Sequence, residues 1–438
     1  MDEHADELKI SLSKIEARAT DAERLAAEAD HRAREADLIN ARAQQTFDAA
    51  RDKSEGFIRE LDEAKNRVQE ALLITQPSSQ SFRQPAATSS QNAALSDSQR
   101  GALAETEQML RAKPEASYQF DDWDARGLAA YAAGDLESAA IYFRNAMLTP
   151  DATREQASRA GINRGVTLSR LQRPNEALAT YDEVIARFQD SNDAGVQGHV
   201  STAMVNKGAT LQQLRRSDES LAVFNDLLAR YGENSEHEIM DSVALALMNR
   251  GVSLTSLKRL DEAVASYEEL DRRFSKASAV SIRGSLAGGL ANMTYTLMRT
   301  GDLPRALNTV DRAIALYEEL GSSFDASAVS NWCNKVELLI RMGHSDEAVA
   351  MADQVIKRYG ETSDLNVLAR LVEARFTKAI ALGRMDRVSE ARSILRKIAE
   401  ESATSNNKSV IELAQLAGEY AVAPVNDWDF ADIYWQNF

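Results

Sequence analysis

One cysteine (Cys333), seven prolines and five histidines stand in a chain of 438 residues. A single thiol forms no intramolecular disulfide, and five scattered histidines without CxxC or HExxH spacing offer no recognisable zinc site. Aromatic residues make up only 6% of the chain. No window approaches the roughly 18 consecutive apolar residues that a membrane span needs. The opening stretch MDEHADELKISLSKIEARAT is charged where a secretory signal requires an apolar core. Together with the lone thiol, this points to a cytoplasmic protein without membrane partners. Positive charge is also in deficit, with 51 Lys+Arg against 67 Asp+Glu and a net charge of −16. Such a balance repels nucleic acid and anionic lipid. The motifs GxxxxGK[ST], GxSxG and GxGxxG are missing, and the histidines do not cluster with acidic residues. No catalytic residue, metal or cofactor is therefore expected, and the protein reads as a non-enzyme.

What is present is helix. Hydrophobic residues are 44% and charged residues 27% of the chain, and the whole reads as all-α. Residues 1–75 contain no proline and carry apolar or small residues at a strict 3-4 spacing, from Leu8, Leu12 and Ile15 through an alanine-rich stretch to Phe57, Leu61, Ala64 and Val68. A period of 3.5 keeps one stripe facing one partner helix, the signature of a left-handed coiled coil. A homo-oligomer formed through residues 1–75 is expected, with Asn40 at a core position setting its register. Between residues 76 and 99 the composition turns to Ser, Gln, Ala and Pro with no apolar period, a flexible linker.

From residue 100 to about 420 amphipathic helices alternate with short polar turns. The blocks NRGVTLSRLQRPNEALATYDEVIARF (163–188), NKGATLQQLRRSDESLAVFNDLLARY (206–231) and NRGVSLTSLKRLDEAVASYEELDRRF (249–274) align without a gap at offsets of 43 residues. Weaker copies at 125–150, 292–317, 334–359 and 377–401 bring the count to about seven units. A small residue marks the point where the two helices of a unit cross: Gly127, Gly165, Gly208 and Gly251, then Thr294, Val336 and Ala379. Twelve residues on stands Ala or Ser, and four further a larger residue such as Phe143, Tyr181, Phe224 or Tyr267.

This small, small, large spacing over residues 118–402 resembles the tetratricopeptide repeat (TPR) of bacterial repeat proteins. The resemblance implies a right-handed α-solenoid whose first helices line a concave channel. Two departures from the family stand out: a unit of 42–43 residues, and a closing proline found only as Pro150. The extra residues are expected to lengthen the first helix and the connecting loops. Heptads joined to repeats of this length also form the layout of kinesin light chains, although their loop motifs are missing here.

The same resemblance places two rows of side chains on the channel. Asn163, Asn206, Asn249, Asn292 and Asn334 stand two residues before the crossing position. A primary amide there can donate to and accept from an extended peptide backbone, and it can equally tie the scaffold together. Arg170, Arg299, Arg341 and Arg384 stand five residues after the crossing position, where they border the groove or complement the helix dipole. The expected partner is a protein or peptide held in the concave face, the protein being a scaffold or adaptor. The alternatives are a ligand- or peptide-sensing regulator and a structural assembly factor working through the coiled coil. The end of the chain, residues 421–438, is an acidic aromatic tail that sets Trp428, Phe430, Tyr434 and Trp435 among aspartates. It either caps the array or occupies its groove.

Overall fold

The computed structural model describes residues 55–68, 96–402 and 407–423, and every regular element in them is helical. The heptad positions before residue 55, most of the linker, and the tail with Trp428, Phe430, Tyr434 and Trp435 lie outside the described residues. Those described fall into two units, 55–66 with 96–103, and 67–68 with 104–402 and 407–423.

In the first unit, helix α1 covers residues 55–68 and α2 starts at Asp97 and runs to Arg111. The α1 stripe residues Phe57, Leu61 and Ala64 are its covered positions, while Ile58 is exposed. Ser98 donates to Glu60 at 3.1 Å and Gln99 to Glu63 at 3.4 Å, so this end of the stripe lies beside a helix of its own chain. Helix α2 begins inside the stretch whose composition reads as linker. Its start is chemical: Gln99 N donates to Ser96 Oγ and Ser96 N to Gln99 Oε1, a reciprocal capping box with Asp97 at the positive end of the helix dipole.

The second unit is a solenoid of seven helix pairs closed by a single helix. The pairs are α3 (Phe120–Ala132) with α4 (Leu136–Leu148), α5 (Arg154–Arg170) with α6 (Pro174–Phe188), α7 (Ala194–Gln213) with α8 (Ser217–Tyr231), and α9 (His237–Ser256) with α10 (Leu260–Phe274). They continue as α11 (Val280–Thr300) with α12 (Leu303–Leu320), α13 (Asp325–Arg341) with α14 (Ser345–Tyr359), and α15 (Leu365–Arg384) with α16 (Val388–Ser402), and α17 (Lys408–Val422) follows. The long repeat unit is carried by the first helices: α7 and α9 have 20 residues each and α11 has 21, against 15 in α8 and α10.

Within a pair, the crossing is closed by the absence of a side chain. A Cβ on Gly165 would lie closer than 3.0 Å to the Tyr181 ring, and one on Gly251 equally close to Tyr267. Both rings are fully buried. The last three pairs fill the same space differently, with Thr294, Val336 and Ala379 opposite Val310, Ala352 and Leu395. As the first residue grows its partner shrinks, which keeps the crossing at close-packed density.

The turn inside each pair is equally regular. One residue takes a left-handed conformation: Gly134, Gln172, Arg215, Lys258, Gly301, Gly343 and Asp386, with φ between 57° and 84°. The next amide then donates five residues back, as in Arg173 N to Leu168 O at 3.0 Å and His344 N to Leu339 O at 2.8 Å. This is the Schellman closure, which satisfies carbonyls that a helix end leaves bare. At the far end, Leu413, Ala417 and Tyr420 of α17 complete one core with Phe376, Ala379, Leu395 and Ile398.

Candidate functional site

First helices adjoin one another along the array. Helices α5, α7, α9 and α11 pack successively side by side, as do α13 and α15, whereas α11 and α13 meet at only a few points. The contact faces are polar. Ser201 donates to Ser242 at 2.9 Å, and Gln212 donates to the Asn249 carbonyl at 2.7 Å and to Ser253 at 2.9 Å. Thr255 and Thr296 are 3.3 Å apart. The small hydroxyls let the helices approach while satisfying one another.

The five asparagines fall on α5, α7, α9, α11 and α13, and all are buried, none more than 6% exposed. Tight closure of neighbouring first helices encloses this row between them. Asn163, Asn206 and Asn334 are engaged within the fold. The Asn249 side chain has no hydrogen-bond partner for either its Nδ2 or its Oδ1, and Asn292 has none for its Nδ2. A buried, unsatisfied amide costs about 1–3 kcal/mol, so these two groups gain a partner only if neighbouring first helices part to admit one.

The arginines differ among themselves. Arg170 ends α5 with its guanidinium 4.9 Å from the centre of the Tyr131 ring, and Arg299 ends α11 with its own 5.9 Å from Tyr295. Burial pushes the Tyr131 hydroxyl up to about 12, with Arg170 pulling the other way. Arg341 is held 2.5 Å from Glu337, a carboxylate only 6% exposed, and its charge is spent within the fold. Arg384 is exposed at the end of α15. One acidic position more, Glu373, is buried beside Arg370 at 3.1 Å.

Sequence reasoning missed two features. Glu337 and Glu373 put buried carboxylates into α13 and α15, where the positions equivalent to Glu337 hold Val166, Ala209 and Val252 and those equivalent to Glu373 hold Arg159, Thr202 and Leu245. The signal for Glu337 was a charged residue at a position that is apolar in earlier pairs. His199 was the other. Its Nδ1 lies 2.8 Å from Ser158 Oγ, which donates to the Glu155 carbonyl at 2.9 Å. Burial, reinforced by Arg159 and opposed by Asp193, lowers the imidazole to about 4. It is neutral at pH 7, with Nδ1–H donating to the serine. Cys333 is buried among Val329, Val367 and Leu371. Among the described residues no group of three His, Cys, Asp or Glu could hold a metal ion, and no helix is long and apolar enough to cross a membrane.

Residues 205–278 match the tetratricopeptide repeat family. The helix pairs on either side of the matched stretch repeat its crossed geometry, and together the seven pairs form an all-α solenoid consistent with tetratricopeptide repeats. A tetratricopeptide repeat protein from Parabacteroides merdae is 18% identical over 68% of this chain and 98% of its own, with a TM-score of 0.44. A Rap protein, solved in complex with competence and sporulation factor, is 14% identical over 84% of this chain and 97% of its own, with a TM-score of 0.41. Both superpose loosely, and the assignment rests on the repeat geometry and the family match. No curated protein matches the chain.

Proposed function

We propose that the protein is a non-catalytic scaffold or adaptor that binds a peptide or partner helix along the inner face of its first helices. The observation that carries this reading is the Asn249 amide, buried between neighbouring first helices with both polar atoms unpaired. Asn163, Asn206, Asn292 and Asn334 extend the row, and Arg170, Arg299 and Arg384 border it with positive charge that attracts a carboxylate. Arg341 contributes by holding Glu337 in place. The layout completing this reading is an oligomerising helix over residues 1–75, a linker over 76–99, the solenoid over 100–420 and the tail over 421–438, in a cytoplasmic setting. The test is the full chain with Asn206, Asn249 and Asn292 replaced by Ala. Helicity is expected to stay the same while proteins captured by the wild type in its own cell extract are lost. Equal capture by both chains makes the amides scaffold residues and overturns the reading.

A second reading, a peptide-sensing regulator, is favoured by one feature, the sparse contact between α11 and α13. A ligand bridging those two helices would change the curvature of the array there. Small-angle scattering showing the same dimensions with and without bound peptide would sink it.

A further inference from the structure

A cation one residue before the crossing position reaches back, in most pairs, to the second helix of the preceding pair. Lys207 meets Asp182 at 2.6 Å, Lys335 meets Asp311 at 2.7 Å, Lys378 meets Asp353 at 2.5 Å, and Arg250 donates to Asn225 at 2.8 Å. Each acceptor stands seventeen residues after the crossing position of its own pair. At the first junction the cation is Arg164 of α5, and the residue in the acceptor's place is Arg144 of α4. Two guanidiniums stand where four of the other junctions hold one cation and its acceptor, while at the junction of α10 with α11 the cation's place is taken by Met293. Among the described residues neither forms an ion pair. Burial and Arg144 together hold Arg164 below its ordinary value, with Arg173 acting the same way and Glu183 and Glu176 opposing.

The surroundings of Arg144 are also unusual. It is exposed on α4, and on the same face of that helix stand Ile141 and Leu148, 58% and 49% exposed. Spacings of three and four residues put all three side chains in one stripe. A half-buried cation without a counter-charge is costly, and so are two aliphatic groups left in water on one helix face. A ligand satisfying both has carboxylates alongside large apolar groups. This chain contains such a segment in residues 424–438, where Asp427, Asp429 and Asp432 alternate with Trp428, Phe430 and Trp435 and no Lys or Arg occurs.

We infer that the exposed face of α4, with Arg144 and Arg164 between Ile141 and Leu148, docks the acidic aromatic segment 424–438 of a second copy of the chain. The segment follows α17, which closes the array at the end opposite α4, with six helix pairs after the first lying between them. That separation makes the contact heterologous, the tail of one copy on the head of the next. Two of the three aspartates pair with the two guanidiniums through charge-assisted hydrogen bonds, while the rings cover Ile141 and Leu148. The contact is independent of the inner face and of what binds there.

The test uses the full chain with the photoreactive amino acid benzoylphenylalanine at Phe430, irradiated as an equal mixture of ¹⁵N-labelled and unlabelled protein. Mapping by mass spectrometry is expected to find cross-links to residues 137–148, with mixed isotopes in the joined peptides. Arg144→Asp restores the acceptor of the other junctions, so the variant keeps or raises its melting temperature. Its cross-link yield is nonetheless expected to fall by about tenfold, the loss that about 1.4 kcal/mol of contact energy produces. Cross-links confined to the inner face or to α15–α17, joined peptides of a single isotope only, an absence of cross-links, or an unchanged yield in Arg144→Asp would each overturn the inference.

Discussion

A single methyl group decides whether a helix pair closes at Gly165 or Gly251, because the ring of Tyr181 or Tyr267 occupies the volume that a Cβ would need. Gly251→Ala is expected to lower unfolding free energy by about 2–3 kcal/mol through overpacking, read as a lower urea midpoint at unchanged slope. The opposite sign is expected at the turns. Lys258 holds φ 61° where Gly134, Gly301 and Gly343 serve in other pairs. Removing its Cβ relieves left-handed strain, so Lys258→Gly should stabilise by about 0.5–1 kcal/mol. His199 supplies a pH signature. Its native value of about 4 lies below the ordinary 6.5, so the unfolded chain binds the proton more readily. The stability from neutral His199 is complete above about pH 6.5 and is lost as pH falls toward 4, on the order of 2–3 kcal/mol in total. His199→Gln, which keeps a donor for Ser158, should flatten that segment of the stability profile measured by denaturant titration.

At the scale of elements, helix boundaries follow local chemistry that is visible in the residues themselves. Thr153 and Gln156 form a reciprocal capping box at the start of α5, and Pro174 occupies the first turn of α6 where a missing N–H costs nothing. The start of α2 at Asp97 obeys the same rule through Ser96 and Gln99, but amphipathic period is weak there and composition alone masks the cap. Helix α17 is different in kind. Its identity as a helix is local, but its role is to cover Phe376, Leu395 and Ile398, and that depends on where the array ends. A chain ending at residue 402 exposes that core and is expected to aggregate on heating, whereas one ending at residue 423 keeps every described core contact. Light scattering during a thermal ramp separates the two.

For the whole molecule, the stripe over residues 1–75 has the period that demands a partner helix along its length, and oligomerisation through that segment is the expected outcome. Sedimentation at about 10–50 µM should show the full chain larger than a monomer, in the range where a weak alanine seam still associates. A monomer at those concentrations would count against it. The crossing positions and the approximate number of repeats could be read from residue identities, because each depends on contacts inside one helix pair at fixed sequence separation, such as Gly165 to Tyr181, whereas the left-handed turns at Gln172, Arg215, Lys258 and Asp386 carry no such mark. Exposure along the inner face could not be read either. Whether Asn249 lines an open groove or sits within the wall, whether Arg341 meets a ligand or Glu337, and whether His199 is solvated or desolvated against Ser158 depend on how closely neighbouring first helices approach. That distance is set by side chains about forty residues apart acting in concert. Periodicity names the face a residue occupies; only the packed array decides how much water that face sees.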